Sequence, residues 1–166
     1  MIEIRTQAEF DTLKTGLLSS PATYQKQLIL IYPLDGGYQI TSSLQITCSD
    51  IKIVGVDNPI IQLTSVGTGA TTDSVIAISG SSGSELEKIF IEGLKLVGNG
   101  KASSYGYAGI YATYVGNGNT SGLTSGTYSR YDSSTVGSSI ANKIGLSVKD
   151  CIIENNRLNG IELSIS

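Results

Sequence analysis

Side chains that do chemistry are few in this chain, and their types narrow the options early. There is no histidine among the 166 residues. A Ser-His-Asp or Cys-His nucleophile arrangement is therefore excluded within the chain, because each needs an imidazole to take the proton. The two cysteines, Cys48 and Cys151, sit in apolar strand patterns with no histidine to complete a zinc set, and are expected to be buried free thiols. Glu92, Asp150, Glu154 and Glu162 are the carboxylates that the strand pattern turns outward, and Arg157 is the arginine beside them. Their spacing matches no catalytic motif. No metal site is predicted and no catalytic residue is assigned; Glu92 instead aligns with Lys149, as an opposite-charge pair across neighbouring strands would.

Tyrosine is the more unusual signal. From Ala102 to Asn142 the only charged residues are Arg130 and Asp132, and Tyr105, Tyr107, Tyr111, Tyr114, Tyr128 and Tyr131 fall inside that stretch. A tyrosine ring offers a flat apolar face and a hydroxyl, a pairing suited to a sugar or to a protein surface. The candidate ligand-binding set is thus Tyr105, Tyr107, Tyr111, Tyr114, Tyr128, Arg130, Tyr131 and Asp132. Packing of Tyr105, Tyr107 and Tyr128 onto the body of the protein is the competing reading.

The elements that would position these residues come from a quasi-repeat. Ile51-Lys52-Ile53-Val54-Gly55-Val56, Ile89-Phe90-Ile91-Glu92-Gly93-Leu94 and Leu146-Ser147-Val148-Lys149-Asp150-Cys151 align as alternating apolar residues, a bend and a further apolar residue. Period two means strand. A second short strand follows each copy at a variable distance: Ser74 to Ile78, Ala108 to Ala112 and Asn159 to Leu163. Constant strands with variable connections are the pattern of a solenoid, whose turns lengthen outward without disturbing the stack. Ile89, Ile91, Ile110, Ala112, Leu146, Val148, Ile161 and Leu163 should face inward in columns, with Phe90, Tyr111, Ser147 and Glu162 facing solvent. Cys151 falls in a column with Leu94 and Val56.

Ahead of the repeat, residues 6–18 read as an amphipathic helix with Thr6 as N-cap, Glu9 at capping-box spacing, and Phe10, Leu13 and Leu17 on one face covering the first coil. The predicted fold is all-β: a single domain over 1–166, a short parallel β-helix of about four coils. Its first coils span 28–97, its loop insertions 98–108 and 116–140, and its last, uncapped coil 144–166. The strand pattern continues through Ile161, Leu163 and Ile165, which would form an assembly edge for a further copy or for a continuation of the solenoid. Asn155 and Asn156, with Asn99 aligned to Asn156, are expected to form a structural ladder at a tight turn.

The runs Leu28 to Pro33, Gly37 to Ile40, Ile51 to Gly55, Val148 to Asn156 and Asn159 to Ile161 together resemble the opening coils of pectin-lyase-like right-handed β-helix proteins. The resemblance covers nearly the whole chain and implies right-handed winding. It spans polysaccharide lyases and hydrolases, adhesins and tailspikes, so it constrains architecture more than activity. It implies an extracellular or virion setting and a glycan or protein partner. A non-catalytic binding or structural module leads; the alternatives are a polysaccharide-active lyase or hydrolase, which alone would call for calcium, and a self-assembling subunit stacking through its open end. No other cofactor is expected.

Composition excludes further classes. With 11 Lys and Arg against 14 Asp and Glu, the net charge of -3 provides no basic footprint for nucleic acid. No apolar run approaches the roughly 20 residues of a bilayer span, and Met1 to Arg5 lacks the pattern of a signal peptide.

Overall fold

Short alternating segments become strands throughout, joined in an order that repeats. The computed structural model describes residues 1–64, 74–81, 86–99, 108–113, 145–156 and 160–164. The elements are β1 (Ile2–Ile4), α1 (Gln7–Ser19), a 3-10 turn (Pro21–Tyr24), β2 (Leu28–Ile31), β3 (Tyr38–Ile40), β4 (Leu44–Ile46), β5 (Ile51–Gly55), β6 (Ile60–Leu63), β7 (Ile76–Ser79), β8 (Ile89–Glu92), β9 (Lys95–Val97), β10 (Ile110–Thr113), β11 (Leu146–Lys149), β12 (Ile152–Glu154) and β13 (Ile161–Ser164). They form three sheets, ordered β1-β2-β5-β8-β11, β3-β6-β9-β12 and β4-β7-β10-β13. Every pairing is parallel. From β2 onward the chain visits the first, second and third sheets in turn and then returns to the first. Among the described residues the protein is thus mostly β, three parallel sheets with one α-helix.

In-register pairing stacks like on like. In the first sheet Ile29, Ile53, Ile91 and Val148 are successive partners. The second sheet aligns Tyr38, Ile61, Leu96 and Ile153, and the third aligns Leu44, Ile76, Ile110 and Ile161. Ile53, Ile91, Ile61, Leu96, Ile76 and Ile110 have no solvent exposure. Burying such side chains is the main favourable term in folding, roughly 1.5–3 kcal/mol each. The inward assignments of Ile89, Ile91, Ile110 and Ala112 hold. At β11 and β13 the same positions are looser, with Leu146 and Val148 half-buried on β11 and Ile161 of β13 at 43% exposure.

α1 begins where the capping box places it. The Thr6 side chain accepts from the Glu9 backbone N–H, and the Glu9 carboxylate accepts from the Thr6 and Arg5 backbone N–H groups. Those hydrogen bonds, the Arg5 one foremost, hold the Glu9 carboxyl below its ordinary pKa. Phe10, Leu13 and Leu17 are buried, and α1 packs against β3 and β4, the outermost strands of their sheets at that end. Phe10 stacks on Tyr38 with ring centroids 4.8 Å apart, and the Tyr38 hydroxyl donates to the Tyr32 and Ile4 carbonyls. No helix among the described residues is long and apolar enough to cross a membrane.

Several local expectations change. β1 joins the first sheet beside β2, although three residues carry too little periodicity to announce a strand. Cys48 is buried and Cys151 only half-buried; both are free, and burial raises both thiol pKa values. Glu92 does lie beside Lys149 in register, but its ion pair goes to Lys52, at 3.2 Å, while Lys149 reaches Asp150 at 3.7 Å.

One buried group stands out. Ser74 is fully buried; its carbonyl accepts from the Ser43 hydroxyl, yet its own hydroxyl has no hydrogen-bond partner among the described residues. An unpaired buried hydroxyl costs on the order of 1–3 kcal/mol. Ser74→Ala should therefore raise stability, by about 1 kcal/mol, read as a later urea midpoint at unchanged slope.

Candidate functional site

Corner lengths single out one face of the protein. Connections from the first sheet to the second are short: 32–37, 56–59, 93–94 and 150–151. The two-residue corners depend on left-handed backbone, Gly93 at φ 62° and Asp150 at φ 51°. At the corner ahead of the first sheet, Lys26, Asp50 and Lys88 also adopt positive φ, and Lys88 pairs with Asp50 at 3.3 Å. The long connections, 64–75, 80–88, 98–109 and 114–145, all enter or leave the third sheet. Long connections on a rigid frame are where binding residues concentrate. The outer face of the third sheet and its flanking connections are therefore the candidate site.

Along that face the register aligns Gln45, Ala77, Tyr111 and Glu162. Ala77 and Tyr111 are only 4% and 8% exposed. Tyr111, expected to face solvent, has the outward register but is buried: strand alternation sets the direction of a side chain, and what covers the face decides its exposure. Tyr105, Tyr107, Tyr114, Tyr128, Arg130, Tyr131 and Asp132 lie outside the described residues, as does Ile165 of the expected edge. Of that edge, Ile161 and Leu163 lie on β13, paired with Ile110 and Ala112.

The asparagines meet backbone at the corner between the second and third sheets. Asn155, at φ 60°, donates from Nδ2 to the Gly98 carbonyl at 2.8 Å, and Asn99 donates to the Thr64 carbonyl at 3.2 Å. Thr64, which the sequence reading passed over, makes the same kind of contact from its hydroxyl to the Ile40 carbonyl at 3.2 Å. Each joins one pass of the chain to the pass before it. Asn156 instead donates to the carbonyl of Glu154, two residues before it on the same pass of the chain.

Ionisable groups are dispersed. Glu154 pairs with Lys95 at 2.9 Å, Glu92 with Lys52, and among the described residues no three of His, Cys, Asp and Glu gather to hold a metal. A shallow groove of 460 Å³ between α1 and the 3-10 turn is lined by Asp11, Thr15, Gly16, Ser19, Thr23 and Tyr24 among others. It brings one carboxylate, Asp11, beside several hydroxyls. No family model matches the chain, and no curated protein or solved structure matches it.

Proposed function

We propose that the chain is a non-catalytic binding or structural module of an extracellular or virion assembly, tailspike-like or adhesin-like, contacting glycan or protein through its tyrosine-rich connections. Its frame is read as a right-handed parallel β-helix of about four coils, of the pectin-lyase-like kind, with α1 as the N-terminal cap. The ordered visits to three parallel sheets and the packing of α1 on β3 and β4 support that reading. One observation carries the functional part: the long connections all border the third sheet, and 114–145 is the longest of them.

β8 and β11 pair in register although 114–145 intervenes before β11. Shortening that connection should therefore leave the frame intact, since loop length enters stability only logarithmically. The test is a glycan array and a partner pull-down with the intact chain, then with residues 116–140 replaced by a short Gly-Ser link. Binding should weaken at least about tenfold, some 1.4 kcal/mol, with little change in thermal midpoint. An intact chain that retains no glycan and no protein would overturn the proposal, as would a shortened chain that binds equally well.

A further inference from the structure

β3 lies between two different kinds of neighbour. β6 pairs with it on one side, and α1 packs against it on the other. Residues along a strand send their backbone N–H and C=O alternately to the two sides, and the Ile40 carbonyl accepts from the Thr64 N–H on the β6 side. The backbone groups of Gln39 therefore point to α1. There the Gln7 side chain meets both: its Nε2 donates to the Gln39 carbonyl at 3.0 Å, and its Oε1 accepts from the Gln39 N–H at 2.9 Å. One residue of an antiparallel strand would exchange the same two hydrogen bonds.

The contact is held from behind. Asp11, one turn further along α1, accepts from the same Nε2 at 2.9 Å, which fixes the end of the amide that donates. Lys14 donates to the Ser42 hydroxyl at 2.6 Å, just ahead of β4. A lysine at the margin of a sheet is a recurrent bar to strand addition. With both backbone groups of its central residue engaged, β3 is closed to a further strand.

We propose that the first turn of α1 is an edge guard in which Gln7 stands in for a paired strand, and that its release lets β3 pair with β3 of a second copy of this chain. The geometry that the Gln7 amide imitates is the one two copies of β3 produce about a twofold axis at Gln39, so the contact is self-complementary and closes on itself. Phe10, stacked on Tyr38, anchors the next turn, and helix ends open at lower cost than helix interiors.

The test compares the intact chain with Gln7→Ala and with the double change Thr6→Ala, Gln7→Ala, which also removes the side-chain cap that starts the helix. Amide hydrogen exchange in dilute solution and analytical ultracentrifugation up to submillimolar concentration are the readouts. In both variants the Gln39 amide should exchange at least tenfold faster than in the intact chain, with the Ile53 and Ile91 amides unchanged. Both should form a reversible dimer at least tenfold more tightly than the intact chain, and Gln39 should slow again as the dimer forms. Gln62→Ala removes the same side chain from β6, which has a strand on either side, and should behave as the intact chain does. Unchanged exchange at Gln39, variants that stay monomeric, a dimer that leaves Gln39 unprotected, or equal association by Gln62→Ala would each overturn the proposal.

Discussion

Ile91→Ala should lower the stability of the folded chain by about 3 kcal/mol, within the 2–5 kcal/mol that follows truncation of a buried aliphatic residue. Ile91 has no exposure and lies between Ile53 and Val148 in the column of the first sheet. Truncation removes apolar burial and leaves a void that two β-branched neighbours held by parallel ladders on either side cannot readily fill. Gln62→Ala, on the outward side of β6 and half-buried, should cost no more than about 0.5 kcal/mol. Urea unfolding followed by circular dichroism separates the two. Equal, small losses would mean that Ile53, Ile91 and Val148 are not stacked, and the architecture would fall with them.

Gly93→Ala comes next in size, with an expected loss of about 2 kcal/mol from two causes. The left-handed backbone at Gly93, φ 62°, costs an alanine about 1–2 kcal/mol. An added Cβ would also sit 2.7 Å from the Gly55 carbonyl oxygen in the neighbouring strand, closer than carbon and oxygen tolerate. Asp150 follows Lys149, the partner of Glu92, and so holds the corresponding corner position with φ 51°. Asp150→Gly should accordingly stabilise the chain slightly, by about 0.5 kcal/mol, as left-handed strain is relieved against a larger loss of chain entropy. If Gly93→Ala left the unfolding midpoint unmoved, the corner could not be this tight.

β5, β8 and β11 of the first sheet and β7, β10 and β13 of the third were legible because alternation is a property of the chain itself, and three copies of it reinforce one another. β6, β9 and β12 of the second sheet were not among the aligned strand repeats: three or four residues hold too little periodicity to distinguish a strand from a connection. Without them the variable spacings were visible but not their common border. Only the three-sheet order shows that 64–75, 80–88, 98–109 and 114–145 each begin or end at a strand of one sheet.

By itself the sequence determined what short-range interactions control: β-structure from period two, the start of α1 from Thr6 and Glu9, the inward side of Ile89 and Ile91, and the absence of imidazole chemistry. Tertiary structure decided what depends on neighbours distant along the chain: the burial of Tyr111, the choice of Lys52 over Lys149 as the partner of Glu92, the joining of β1 to β2, and the half-exposure of Cys151 and Val148. The difference is physical. Backbone sterics and capping act within a few residues and leave a periodic trace, whereas the covering of a face or the reach of a lysine is settled by strands that approach only after folding.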